Sequence, residues 1–201
     1  MITKEELSVR IKNACAEVIA AEAELTEIDS RFGDADHGFT MAKIAKTISE
    51  AIEEGDSIQE MLDNAACAVM VLNGGSAVPL WNTWLDGLQE CASAEDSMTA
   101  AEVKAMFVGA CDTLSALSKA KVGDKTMMDT LIPATKAISQ CEGSVDEIFA
   151  AAAVAAAEGA EASKNFVSKF GRARSYGEAT LGTPDAGAMS MKYFFAGLAK
   201  K

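Results

Sequence analysis

Residues 24–41, ELTEIDSRFGDADHGFTM, end one helical pattern, cross an acidic turn and begin a second helical pattern. The turn places Asp29, Asp34 and Asp36 close together in sequence, with glycines on either side of the last two. Residues two apart diverge on a regular helix, but they can converge in an irregular turn. Converging carboxylates repel each other unless a cation lies between them. Oxygen ligands without cysteine favour Mg²⁺, with Ca²⁺ or Mn²⁺ as alternatives.

A simpler interpretation of the same stretch is a solvated acidic turn that binds nothing. An EF-hand loop, in contrast, does not fit the pattern. Counted from Asp34, the twelfth position is Ala45, where an EF-hand needs a bidentate glutamate.

Composition favours one globular domain over residues 1–201. The chain is 49% hydrophobic and 24% charged, and it contains no apolar run of the roughly 18 residues that a membrane span needs. The net charge of −12 argues against a nucleic-acid partner and means that a phosphate ligand would need cations. The five dispersed cysteines and the charged N-terminus, which has no secretory pattern, predict a reduced cytoplasmic protein without a membrane partner.

Helical periodicity dominates the whole chain. Four Ser/Thr-x-x-Glu pairs predict capping boxes at helix starts: Thr3/Glu6, Ser57/Glu60, Thr99/Glu102 and Ser144/Glu147. Apolar spacing predicts eight helices, over about 4–29, 41–52, 58–70, 80–88, 100–117, 127–138, 144–165 and 188–198. No segment alternates like a strand, so we predict an all-α, antiparallel up-and-down bundle.

Three glycine-containing turns precede predicted helices: 73–76 (NGGS), 123–126 (GDKT) and 182–187 (GTPDAG). Free amides at a helix N-terminus attract anions, although each such turn alone is usually structural. In an up-and-down bundle, alternate connections lie at the same end. The acidic turn and these three loops would therefore share one end, which predicts a composite nucleotide-phosphate site there.

With these loops in view, the sequence resembles the ADP-binding L subunits of dihydroxyacetone kinases, the DAK2/DhaL-type domain family. The likeness covers almost the whole chain. Its motifs are LTEIDSRFGDADHG at 25–38, NGGSAVPLW at 73–81, GDKTMMDTLIPA at 123–134 and GRARSYGEATLGTPDAGA at 171–188. The resemblance implies an eight-helix antiparallel barrel with a nucleotide at one end, and the closure of the barrel is expected from the resemblance alone.

The resemblance also implies roles for individual residues. Asp29, Asp34 and Asp36 would hold two Mg²⁺ ions on the phosphates of ADP or ATP, and together with Arg172 they would form the catalytic group. The implied nucleotide-contacting residues are His37, Gly38, Phe39, Thr40, Ser76, Ala77, Met127, Arg172, Asp185, Ala186 and Gly187. For Met127 a plain core role is the alternative. Lys125 and Arg174 would add positive potential or be solvated.

The chain departs from the family pattern in its phosphate-binding loops. Thr40 replaces the usual asparagine, Ala77 and Val78 replace a serine and a glycine, and Ala186 stands where proline is common. Between Arg172 and Tyr176 the chain reads RARSY in place of Arg-Ala-Ser-Tyr. These changes leave open a paralogue that uses another ketose, such as a ketotetrose, or weaker nucleotide binding.

The resemblance implies a kinase subunit that passes phosphoryl from a Mg-nucleotide to a ketose held by a separate K subunit. The donor would be ATP, or a phosphotransferase-system M subunit that recharges bound ADP. A homodimer is a further possibility. Three alternatives remain: a non-catalytic nucleotide-binding regulatory module, a helical interaction protein with solvated aspartates, and an acyl-phosphate-forming kinase, which would normally carry extra domains.

Overall fold

The computed structural model describes residues Met1–Lys201 and is built almost entirely of helices. The nine α-helices are α1 Lys4–Ala20, α2 Glu22–Ser30, α3 His37–Ala51, α4 Ile58–Met70, α5 Ala77–Glu90, α6 Ala100–Ser118, α7 Met128–Gln140, α8 Val145–Ala162 and α9 Ala186–Leu198. A 3₁₀ turn covers Ser163–Asn165, and two further 3₁₀ turns, separated by a kink at Gly177, cover Arg172–Thr180. The only strands, β1 Ile2–Thr3 and β2 Ser97–Met98, form one short antiparallel pair. The predicted all-α class is confirmed.

Local sequence signals explain most helix starts. Complete capping boxes begin α1 at Thr3, α6 at Thr99 and α8 at Ser144, where each hydroxyl accepts from an amide and each glutamate accepts in return. At α4 the Ser57 hydroxyl accepts from the Glu60 amide at 3.1 Å. The Glu60 carboxylate instead accepts from the amide of Asp56, at 2.8 Å, so this box is incomplete.

The first predicted helix is broken, which corrects the expectation of one helix running to Asp29. It stops at Ala20, and Ala21 adopts φ −86° and ψ 2° before α2 begins. The break redirects α2 onto α3 and α9, where the Tyr193 hydroxyl donates to Glu24 at 2.5 Å. The last part of the predicted 144–165 helix also differs, because it is a separate 3₁₀ turn.

The helices form a closed ring. Each helix packs on its neighbour in sequence, and α9 packs on α1, so the barrel predicted from the resemblance is confirmed when α1 and α2 are counted as one broken helix. Closure needs close backbone approach, because a Cβ atom added at Gly197 would lie only 2.4 Å from the Cα of Ala14. The interior is one apolar cluster. At its centre the rings of Trp81 and Trp84 meet edge to face, with centroids 5.5 Å apart.

None of the helices combines the length and apolar content that a membrane-spanning segment requires.

Candidate functional site

The acidic loop between α2 and α3 brings three carboxylates together. One side-chain oxygen from each of Asp29, Asp34 and Asp36 lies within 4.8 Å of the others. Asp29, in the last turn of α2, accepts the amide of Asp36 at 3.1 Å. Ala35 has a left-handed φ of 60°, which turns the chain back on itself. A Cβ atom at Gly33 would lie 2.0 Å from Oδ1 of Asp29, so this tight turn has no room for a side chain there.

The electrostatics of this group fit a hard divalent cation. Burial, followed by the nearby charges of Asp34 and Asp29, raises the pKa of Asp36. Such mutual repulsion is relieved when a cation shares the carboxylates. The donors are all oxygens, which Mg²⁺ prefers. The one protein cation in direct contact is Arg172, whose guanidinium lies 2.8 Å from Oδ2 of Asp34.

His37 begins α3 and is turned inward to α9. Its Nε2 lies 2.7 Å from the hydroxyl of Ser190, which donates to the carbonyl of Ala186 at 2.9 Å. Burial lowers the pKa of His37, against the opposing influence of Asp29 and Asp36. This half-buried, hydrogen-bonded imidazole joins the acidic loop to α9. Next to it, Gly38 packs so closely on α2 that an added Cβ atom would lie 2.1 Å from the carbonyl of Glu22.

The next two positions of α3 differ in exposure. Phe39 is 65% exposed, whereas Thr40 is buried and faces the glycine loop before α5. A Cβ atom at Gly74 would lie 3.1 Å from Cγ2 of Thr40 and 2.6 Å from Cγ2 of Val78. Two of the residues that depart from the family pattern thus pack around the same glycine.

The N-terminus of α5 is open. Ser76 is exposed and makes no side-chain capping bond, and Ala77 is the first residue of the helix. The Val78 amide donates to the Gly75 carbonyl at 3.3 Å and Pro79 has no N–H, so the amides of Ser76 and Ala77 are the ones available to an anion.

The loops before α7 and α9 meet. Met127 is only 6% exposed, and a Cβ atom at Gly187 would lie 3.4 Å from the Cβ of Met127. Asp185 caps α9, with Oδ2 accepting the Ala188 amide at 2.8 Å. Burial raises the pKa of Asp185 to about 7, although the Ala188 amide favours the charged form. Ala186 and Gly187 form the first turn of α9 beside Met127.

The kinked 3₁₀ region Arg172–Thr180 contacts the acidic loop, whose residues 34–36 stay exposed. Besides the ion pair of Arg172 with Asp34, the rings of Phe32 and Tyr176 meet edge to face with centroids 5.3 Å apart. The acidic loop and the region before α9 are therefore in direct contact. Phe39 stands apart from these contacts because most of its ring faces solvent, and Arg174 is also exposed.

The sequence did not predict the contacts of three side chains: those of Lys125, Asp129 and Ser190. Lys125 was expected to add positive potential or to be solvated; it is instead buried, with its ammonium on two backbone carbonyls. Asp129 accepts the amides of Gly123 and Thr126, both at 2.6 Å. The Thr126-x-x-Asp129 spacing was a usable signal, since it resembles a capping pair. Ser190 has no local signal, because its partner is distant in sequence.

Comparison with known proteins assigns this sequence to a family. The sequence model of the DAK2 domain family matches residues 31–200, from the acidic loop to the end of α9. The chain belongs to the DAK2 domain family. The family membership that the four motifs indicated is therefore confirmed.

Two curated relatives of this chain differ in length. The D-erythrulose kinase of Mycolicibacterium smegmatis is 36% identical over 92% of this chain, which spans only 33% of that protein. The ADP-binding subunit DhaL of the PEP-dependent dihydroxyacetone kinase of Escherichia coli K12 is 31% identical over 92% of this chain and 91% of the subunit. The chain thus spans about a third of the first relative and nearly all of the second.

A solved structure shares the DAK2 fold. The dihydroxyacetone kinase from C. freundii, crystallised with AMP-PNP and Mg²⁺, superposes with a TM-score of 0.72 at 22% identity. The match covers 96% of this chain and 33% of that one. It supports the helical barrel as the common architecture.

Proposed function

We propose that this chain is the nucleotide-binding, phosphoryl-transferring subunit of a kinase that acts on dihydroxyacetone or a related ketose. The observation that carries the proposal is the group of three carboxylates within 4.8 Å of one another, at the barrel end where the predicted phosphate loops meet. Relatives at 31% and 36% identity are named as kinases or as an ADP-binding kinase subunit, which supports the same assignment.

Asp29, Asp34 and Asp36 would hold the Mg²⁺, and we propose two ions. When bound, Mg²⁺ supplies positive charge that neutralises phosphate oxygens during phosphoryl transfer. Phosphoryl transfer requires positioning and charge neutralisation more than a protein nucleophile. His37 is therefore assigned to the structure of the site, where its bond to Ser190 orients it, and not to carrying a phosphoryl group.

The remaining contacts would come from the surrounding loops. The amides of Ser76 and Ala77, at the start of α5, would bind phosphate oxygens, and Ala186 and Gly187, at the start of α9, would close over the nucleotide. Arg172 would add a bidentate cation beside Asp34. The exposed ring of Phe39 is available to a nucleotide base or ribose, while Gly38 lets α3 pack closely on α2 and Thr40 supports the glycine loop at Gly74. The burial of Met127 favours a core role over direct packing on the base.

The ketose would be held by a separate K subunit in the cytoplasm. Relatives named D-erythrulose kinase and L-erythrulose kinase match this chain at 36% and 33% identity, which supports a ketotetrose as well as dihydroxyacetone as acceptor. The donor would be ATP or, as the name of the Escherichia coli relative indicates for that protein, a PEP-dependent route. In the second case a phosphotransferase-system M subunit would recharge bound ADP.

The test is a transfer assay with the pure protein. Mass spectrometry of gently purified protein first determines whether ADP is retained, since retention favours recharging by a partner over exchange with ATP. Dihydroxyacetone and erythrulose are then supplied with candidate K subunits and each donor. Phosphorylated ketose that requires this chain supports the proposal. Absence of transfer with every K subunit and donor contradicts it.

A second candidate function keeps nucleotide binding without catalysis. It is favoured by one feature of the phosphate loop, in which Ala77 lacks a hydroxyl and Val78 is buried against Gly74. A regulatory module of this kind would bind Mg-ADP in the same assay without any transfer.

A further inference from the structure

Lys125 is a buried charge in the loop between α6 and α7. The residue is only 4% exposed, and its backbone has a left-handed φ of 59°, which is uncommon outside glycine, asparagine and aspartate. Burying an ammonium group is costly unless hydrogen bonds replace its water. The surroundings of Lys125 must therefore supply such bonds.

The ammonium of Lys125 joins two other segments of the chain. Nζ donates to the carbonyl of Ser163 at 2.7 Å and to the carbonyl of Thr183 at 2.5 Å. Burial lowers the pKa of Lys125, while the nearby carboxylates of Asp185 and Asp129 favour its charged form. One side chain thus links the loop before α7, the 3₁₀ turn after α8 and the loop before α9.

These linked segments lead directly to the proposed nucleotide site. Ser163 also accepts the amide of Asp185 through its hydroxyl, at 3.0 Å. Thr183 lies two residues before Asp185, which caps α9. Lys125 therefore fixes the turn that leads into α9 directly at Thr183 and, through Ser163, at Asp185. The first turn of α9 packs on Met127 through Gly187.

We propose that Lys125 is a positioning residue of the nucleotide site. Its ammonium holds the 182–187 loop so that the first turn of α9 stays beside Met127, in the position from which it would close over the nucleotide. Lys125 does not itself touch the nucleotide. The proposal rests on the proposed function, and it adds a residue that acts from beneath the site.

The variant Lys125→Met tests the claim. The methionine side chain is unbranched and apolar, like the stem of lysine, but it has no N–H group to donate. The Thr183 and Ser163 carbonyls then lose a buried donor, and the loop is expected to shift. The dissociation constant for Mg-ADP, measured by calorimetry well below the melting temperature, should rise about tenfold.

Two control variants separate positioning from stability. Lys121→Met removes an exposed lysine from the same loop and should leave both stability and affinity unchanged. Arg10→Met acts at the opposite end of the barrel, where Arg10 donates to Asp146 and to the carbonyl of Leu198. It should lower the melting temperature without changing the affinity for Mg-ADP. If Lys125→Met behaves like Arg10→Met, with a lower melting temperature and wild-type affinity, the positioning role is wrong.

Hydrogen exchange of the nucleotide-free proteins distinguishes failure of this inference from failure of the proposed function. If the wild-type protein binds no Mg-ADP, the proposed function fails. The positioning claim is then decided by amide exchange in residues 182–188. Faster exchange there in Lys125→Met than in Arg10→Met supports the claim, and equal exchange overturns it.

Discussion

At the scale of single residues, Gly33 determines the geometry of the acidic loop. A methyl group at this position would lie 2.0 Å from Oδ1 of Asp29 and would displace that carboxylate from the other two. Gly33→Ala should therefore weaken the binding of a divalent cation by roughly 10- to 100-fold, as is typical when the support of a metal ligand is disturbed. Titration with Mn²⁺, followed by electron paramagnetic resonance of the free ion, measures this change.

Ala35→Gly is the matched control for that substitution. Ala35 already has a positive φ, and glycine adopts this conformation without steric cost, so the affinity should stay within about twofold of the wild type. Equal Mn²⁺ affinity of Gly33→Ala and wild type would show that the position of Asp29 does not matter for the metal.

Asp185 gives a pH-dependent prediction. Its folded pKa, about 7 compared with an ordinary 3.8, means that the folded state binds the proton more tightly than the unfolded state. The contribution of Asp185 to stability is therefore complete below about pH 4 and is lost as pH rises to about 7. Asp185→Asn cannot ionise, and its amide oxygen still accepts the Ala188 amide.

The free energy of unfolding of Asp185→Asn should therefore improve relative to wild type as pH rises. The slope should not exceed about 1.4 kcal/mol per pH unit for one proton, and the difference should level off above about pH 8. Urea unfolding of both proteins across this range measures the difference. A difference that is constant with pH would mean that Asp185 ionises normally in the folded protein.

The contrast between Asp29 and Lys125 shows what the sequence can predict about the site. The acidic group was predictable because its members lie within eight positions, so that local turn geometry brings them together. Lys125 and Ser190 were not, because their partners at Thr183, Ser163 and His37 are distant in sequence. Their environment exists only after the helices have packed.

At the scale of helices, Gly197 allows α9 to close the ring against α1. A Cβ atom there would lie 2.4 Å from the Cα of Ala14 and 2.5 Å from the carbonyl of Asn13, both backbone atoms that cannot rotate away. Gly197→Ala should lower the free energy of unfolding by about 1–3 kcal/mol through overpacking, despite the better helix propensity of alanine. Denaturant unfolding tests this value.

Gly75→Ala serves as the stability control, because no atom lies within 4 Å of the added Cβ and its φ is not positive. Its effect on unfolding should stay within about 0.5 kcal/mol, as for other substitutions outside packed regions. If Gly197→Ala is as stable as Gly75→Ala, the close approach of α9 to α1 is not required.

Helix starts were more predictable than helix continuity. The four capping pairs predicted the beginnings of α1, α4, α6 and α8, since a cap depends on residues three positions apart. The break at Ala21 was not predicted, because neither glycine nor proline marks it. The break brings α2 against α3 and α9, and helical periodicity carries no information on that packing.

At the scale of the whole molecule, charge and topology act together. Loops that are far apart in sequence meet at one end because alternate connections of an antiparallel barrel share that end. The net charge of −12 repels a free nucleotide, so a phosphate ligand must be bound through cations held locally. Ring closure itself was expected only from the family resemblance, since no local pattern specifies which helix packs on α1.

The most direct test of the account is calorimetric titration of ADP into the wild-type protein and into the double variant Asp34→Asn, Asp36→Asn. Each titration is done with Mg²⁺ and with EDTA. We predict binding to the wild type only when Mg²⁺ is present and no detectable binding to the double variant, whose helical circular dichroism should be unchanged. Equal ADP affinity with Mg²⁺ and with EDTA, or wild-type affinity in the double variant, would contradict the claim that these carboxylates hold the nucleotide through metal ions.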